Sequence, residues 1–199
     1  VIPAFFLELG LNYFLIVFSP ALLMVIVAPI IEEGFKYWTV RKYVFDHIEF
    51  DEPMDGIVYA AAVALGFASL ENLGYIGSTY LKMVEQPEIT SGLIVKVSVT
   101  RAIFSVPGHV LFSIMWGYAL GASKFIPDPV KGQLFIRRGL YLSMILHGLF
   151  NSVINFPLAL SCLMVFMLIV WKMVRQRIAI ALKNSPYAHP SQIPTEFME

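Results

Sequence analysis

Cysteine is almost absent. Cys162 is the only one among 199 residues and lies in an apolar run, so a disulfide scaffold is excluded. It reads as a small lipid-facing or core side chain. Charge is scarce as well: Asp, Glu, Lys and Arg make up 14% of the chain, against about 25% in a soluble domain. Neither sign dominates, with 14 Lys+Arg against 14 Asp+Glu. That balance excludes a nucleic-acid binder working through a basic surface. The N-terminus has no basic leader and no cleavage site before further apolar sequence, so it is not a signal peptide. No repeat at solenoid spacing occurs. What remains is apolar: hydrophobic residues make up 58% and mean hydropathy is +0.73. Such a chain lacks the polar surface to stay in water alone, and its expected medium is the lipid bilayer. It begins at Val1, not Met. Either residues were removed or the sequence starts inside a longer protein, so the N-terminal span count is left open.

Apolar runs divided by charged or Pro-containing stretches predict an all-α, polytopic transmembrane bundle of about five to six helices. Pro3 to Phe18 is a partial span or interfacial segment, since it carries Glu8 and Asn12. Helices are then expected over Pro20–Phe45, Asp55–Val84, Ser91–Ser123 and Gly139–Asn155, with a last one from Pro157 to near Trp171. An acidic loop (Asp46–Asp55), a polar turn (Glu85–Thr90) and a Pro-rich basic loop (Lys124–Arg138) separate them. Residues 1–183 form one domain, and the polar 184–199 tail, with three prolines, is expected to be disordered. Ten basic residues, from Arg41 and Lys42 through the 124–138 loop to the 172–183 segment, lie on one side, against Lys82 on the other. The positive-inside rule makes the ten-residue side cytoplasmic, in a cell membrane.

Ionisable residues inside a bilayer are costly and usually face a bundle interior or a pathway. Here they are Glu32, Glu33, Lys36, Glu71, Arg101, His109 and His147. Lys36 is i+4 from Glu32 and i+3 from Glu33, within reach of either on a helix. Two carboxylates and one lysine leave a unit of negative charge that needs a proton, a cation or a metal. The plainer reading is a buried ion pair that fixes helix packing. Ala60, Ala64 and Ala68 form a small-residue ridge on the helix that carries Glu71, and Glu71 alone is equally consistent with a protonated structural acid. Ser98, Arg101, Ser105, His109 and Ser113 recur at spacings of three and four and make one inward polar stripe. His147 and Asn151 share a face at i, i+4. A lone membrane histidine is usually a packing or hydrogen-bonding residue. Two histidines and a glutamate on three helices are, by residue type, one of the catalytic zinc sets, with a fourth position left for water. They do not match the sequential H-E-x-x-H of soluble zincins.

At these residues the chain resembles the PrsW family of intramembrane metalloproteases, from about Pro20 to Asn155. An EExxK motif reads Glu32-Glu33-Gly34-Phe35-Lys36 after Ala28-Pro29. A Phe-x-x-x-Glu-Asn core reads Phe67 to Asn72, with Asp55, Tyr59, Gly66 and Tyr75 around it. Pro107-Gly108-His109 is followed by Gly117-Tyr118, and His147-Gly148-Leu149-Phe150-Asn151 closes the set. The last motif is shared with the CAAX prenyl endopeptidase superfamily. Those relatives differ in having His where this chain has Glu71 and Arg where it has Lys36.

The resemblance implies an endopeptidase that hydrolyses membrane protein or peptide substrates within or near the membrane, as in regulated proteolysis of a signalling or anti-sigma-type protein. It implies Glu71, His109 and His147 as ligands of a zinc ion. Glu33 or Glu32 is then the general base, and the other pairs with Lys36. Asn151 hydrogen-bonds the oxyanion or fixes the imidazole, and Asn72 is an outer supporting residue. Two other readings use the same residues. One is a metal-independent endopeptidase with a glutamate-activated water. The other is a proton- or cation-coupled transporter, against which stands the lack of an inverted repeat. No nucleic-acid partner is expected. The substrate and the oligomeric state are not legible.

Overall fold

The computed structural model describes residues 20–86, 91–153 and 159–188. The Pro3–Phe18 segment, residues 87–90 of the polar turn, the expected helix start at Pro157 and tail residues 189–199 lie outside them. Among the described residues there are five continuous helices and no strand. The first opens with a single turn, Pro20–Leu22, and a π turn, Leu23–Val27, before α1 (Ala28–Tyr43). α2 is Pro53–Glu85. The third runs as α3 (Ser91–Thr100), a second π turn (Arg101–Ser105) and α4 (Val106–Ser123). α5 is Pro129–Val153 and α6 is Ala159–Lys183. Two, Pro53–Glu85 and Gly92–Ser123, are long and apolar enough to cross a membrane.

α4 is the axis of the bundle. It packs most extensively on α2 and α5, and also touches α1 and α6. Its burial follows from small residues. A Cβ added to Gly56 would lie 2.1 Å from the Gly117 carbonyl oxygen, so α2 and α4 meet backbone to backbone, as small residues permit between membrane helices. Ala60, Ala64 and Ala68, the ridge read from the sequence, are fully buried.

Each π turn runs into a proline, Pro29 or Pro107, at the second position of the following helix. Proline has no N–H for the carbonyl four residues back. The chain instead closes wider bonds, Ala28 N–H to Leu23 O and Val106 N–H to Arg101 O. Both disturbed turns lie just before helices that carry site residues, a common place for π turns.

Two expected boundaries are corrected. Most of the 124–138 segment is helical, because α5 starts at Pro129. Asp128 accepts hydrogen bonds from the Val130 and Lys131 amides at 2.9 and 3.3 Å. Asp-Pro is a helix start signal, here hidden by the density of basic residues. The last helix continues to Lys183 rather than ending near Trp171, with Lys172 and Arg175 on its exposed side.

The acidic loop is held in place. Asp55 Oδ2 accepts the Asp51 and Glu52 amides, both at 2.9 Å, and with Glu52 completes a capping box at the start of α2. Phe50 is buried, and Lys124 donates to its carbonyl at 2.8 Å. Residues 184–188 fold back on the same loop: Ser185 bonds Glu52, and Tyr187 donates to Asp51 at 2.5 Å.

Candidate active site

α1 presents Glu32, Glu33 and Lys36 to α4 and α5. All three are buried, and Glu33 has no exposed surface. Its carboxylate is surrounded by donors. Oε2 accepts from Ser113 Oγ at 2.8 Å, Trp116 Nε1 at 3.0 Å and Ser143 Oγ at 2.8 Å. Oε1 accepts from Lys36 Nζ at 2.7 Å and meets His147 Nδ1 at 3.2 Å. A carboxylate offers about four lone-pair sites, so Glu33 is filled. It ties α1 to α4 and α5 at the centre of the bundle.

Glu32 lies about 100° further round the helix and faces the two imidazoles. Its Oε2 is 3.7 Å from His109 Nδ1, 3.8 Å from His147 Nε2 and 3.8 Å from Lys36 Nζ. His147 is held on its other nitrogen by Glu33. His109 is held on its other nitrogen by Glu71, whose Oε2 is 2.8 Å from Nε2. With each imidazole donating to its outer carboxylate, the lone pairs of His109 Nδ1 and His147 Nε2 converge beside Glu32. The two rings lie edge to face, with centroids 5.0 Å apart.

Glu32, His109 and His147 place one ligand atom each within 4.8 Å of one another. The expected trio put Glu71 in the place Glu32 takes. Glu71 instead approaches His109 from behind, with Arg101 Nη2 at 2.8 Å on the same oxygen. A carboxylate behind each imidazole is the arrangement that orients metal-ligating histidines, and two neutral imidazoles with a carboxylate suit zinc. The donor set therefore fits a zinc-type ion. Lys36 Nζ also lies 2.9 Å from His109 Nδ1. Ammonium and metal would compete for that lone pair, whereas the bond from the same ammonium to Glu33 leaves it untouched.

Asn151 sits outside this cluster, one turn past His147. Its Nδ2 donates to the Met24 carbonyl at 2.9 Å, inside the first π turn. Gly148 closes the same contact: a Cβ there would lie 2.4 Å from Val25 O. The His-x-x-x-Asn spacing thus puts the histidine into the site and the asparagine onto the disturbed turn leading to Glu32. Asn72 accepts from Arg101 Nε at 2.6 Å. Two residues were missed in the sequence, Trp116 and Ser143. Both carried a signal: Trp116 is three residues after Ser113, and Ser143 is one turn before His147.

Comparison with known proteins gives the family. The model of the PrsW family intramembrane metalloproteases matches residues 1–174. The chain belongs to this family. A protease PrsW of Geobacillus kaustophilus is 33% identical over 195 residues, covering 98% of this chain and 78% of that protein. A protease PrsW of Clostridioides difficile is 32% identical over 149 residues, 74% of this chain and 58% of the relative. One of Bacillus subtilis is 32% identical over 145 residues, 71% and 58%. No solved structure matches. A PrsW-family chain is a membrane-embedded endopeptidase, and this bundle encloses a cluster of carboxylates and imidazoles on α1, α2, α4 and α5.

Proposed function

We propose that this chain is a metal-dependent intramembrane protease whose reacting cluster is Glu32, His109 and His147. The observation that carries this is the convergence of their ligand atoms within 4.8 Å. The carboxylate behind each imidazole, at 3.2 Å for Glu33 and 2.8 Å for Glu71, supports it. A zinc ion, when bound, supplies Lewis-acid polarisation of the scissile carbonyl and makes water more acidic. His109 would hold it through Nδ1, His147 through Nε2 and Glu32 through Oε2.

Hydrolysis adds a water oxygen to the peptide carbonyl carbon and breaks the C–N bond. The water proton must be taken up and a proton delivered to the leaving amine. Glu33 is unsuited to this, because five polar groups already fill its two oxygens. Glu32 faces both imidazoles, so we assign it the proton. Lys36 balances Glu33 and brings positive charge to the edge of the cluster, where an oxyanion develops. Asn151 is read as a positioning residue that holds the turn before Glu32. The substrate class is a membrane protein segment. An intact helix hides its carbonyls in i to i−4 bonds, so the segment must unwind locally, and Gly or Pro near the scissile bond should speed cleavage.

One observation favours a second reading. The 2.9 Å contact of Lys36 with His109 Nδ1 suits a metal-independent enzyme in which Glu32 activates water and the imidazoles stabilise the oxyanion. Elemental analysis separates the two. The metal reading expects about one zinc per chain after chelator-free purification, lowered in His109→Ala and His147→Ala. Full occupancy in both variants would remove the ligand assignment.

The orientation belongs to the same proposal: the basic 124–138 and 172–183 segments face the cytoplasm. With Cys162 changed to Ser, a cysteine in place of Gln86 should react with an impermeant thiol reagent in intact cells. One in place of Gln133, exposed on α5, should not. The reverse pattern inverts the topology.

A further inference from the structure

Arg101 is a part-buried cation of the α3–α4 helix that the mechanism above does not use. It opens the second π turn and is only 14% exposed at its side chain. All its close partners lie on α2. Nε donates to Asn72 Oδ1 at 2.6 Å, and Nη2 meets Glu71 Oε2 at 2.8 Å. The guanidinium lies 3.8 Å over the Tyr75 ring. The guanidinium therefore engages two adjacent residues of α2, Asn72 by a hydrogen bond from Nε and Glu71 by an ion pair at Nη2, while the ring below limits its tilt.

The oxygen that Arg101 takes, Glu71 Oε2, is the one that meets His109 Nε2. Both neighbours of that oxygen come from one continuous helix. Over eight residues of α-helix, Arg101 and His109 would point about 80° apart. The π turn between them is wider than an α turn and takes up part of that offset. Both side chains then reach the same carboxylate.

We propose that Arg101 is a positioning residue that acts through Glu71 on His109. It fixes the carboxylate so that His109 donates from Nε2 and presents Nδ1 to the Glu32 and His147 side of the site. Asn72 and Tyr75 make the arrangement specific for a guanidinium. A lysine offers a point charge and cannot hold a hydrogen bond to Asn72 and an ion pair with Glu71 in the same fixed geometry. Outer partners of metal-binding histidines typically contribute 10- to 100-fold to metal affinity. This inference rests on the reading of His109 as a zinc ligand.

The test measures zinc affinity of the full chain in detergent by competition with a chromogenic chelator. Arg101→Met, Arg101→Lys, Glu71→Gln and the Arg101→Met/Glu71→Gln double variant are compared with wild type. Arg101→Met should bind zinc about tenfold more weakly, with Arg101→Lys between it and wild type. The double variant should be no weaker than Glu71→Gln, because the arginine works only through that carboxylate. A general loss of packing would give additive effects instead. If Arg101→Met does not fold, Arg101→Lys and Glu71→Gln carry the test. Wild-type affinity in Arg101→Lys, or additive losses in the double variant, overturns the proposal. His109→Ala keeps the two levels apart. If wild type binds zinc and His109→Ala does not, while the Arg101 variants bind as wild type does, only this inference is lost. If His109→Ala binds zinc as tightly as wild type, the ligand reading fails and this inference falls with it.

Discussion

The site holds two carboxylate–imidazole pairs of the same chemistry in different surroundings. Glu33 and His147 meet at 3.2 Å in the closed centre of the bundle, where the Glu33 side chain has no exposed surface. Glu71 and His109 meet at 2.8 Å on a flank where the Glu71 side chain is 23% exposed. The inner carboxylate is held by α1, α4 and α5 together, through Lys36, Ser113, Trp116, Ser143 and His147. The outer one meets Arg101 and His109, both on the α3–α4 helix. The inner pair is therefore part of what holds the helices in register. The outer pair can adjust one imidazole without the bundle depending on it.

The largest expected effect tests the inner pair. Glu33→Gln keeps the shape but removes the charge facing Lys36 and turns an amide N–H₂ toward a site crowded with donors. Leaving one partner of a buried ion pair alone costs about 3–5 kcal/mol. Unfolding in detergent should show that loss, and a variant as stable as wild type would dissolve the distinction between the pairs.

Glu32→Gln sharpens it. Glu32 stands between the imidazoles, so the variant should stay folded but lose proteolysis by about 10²- to 10⁴-fold, the range for a general base. Cleavage of a membrane-anchored reporter at the wild-type rate would return the proton-accepting role to another group.

The smallest effect concerns a single inner donor. Ser143→Ala removes one of three hydrogen bonds to Glu33 Oε2, leaving Ser113 and Trp116. About 1 kcal/mol of stability is expected to go, with turnover nearly unchanged. A turnover loss as large as that of Glu32→Gln would show that the inner carboxylate takes part in the chemistry.

Much of this was legible in the chain. Composition demanded helices in lipid, since spanning segments must satisfy their own backbone polar groups. Apolar runs found five helices, with the start of α5 and the end of α6 about ten residues short. Charge in an apolar setting singled out Glu32, Glu33, Lys36, Glu71, Arg101, His109 and His147, because such groups are kept out of lipid unless a bundle encloses them. The start of α5 was obscured because Lys131, Arg137 and Arg138 read as a loop, although they lie on the exposed side of a helix.

Tertiary structure decided what each carboxylate faces. Glu32 and Glu33 are neighbours in sequence, and helical geometry turns them about 100° apart. Only the packing of α4 and α5 shows that Glu33 points at three neutral donors and Glu32 at two imidazoles. Arg101 and His109 share a stripe in the sequence, but only the packing of α2 shows that Glu71 stands between them. Asn151 shares a face with His147, yet it bonds the Met24 carbonyl, an acceptor on a different helix. Side-chain type and helical period are local properties and can be read along the chain. Which lone pair faces which donor depends on how close two backbones come, and here that is set by glycines such as Gly56, Gly117 and Gly148 meeting another helix.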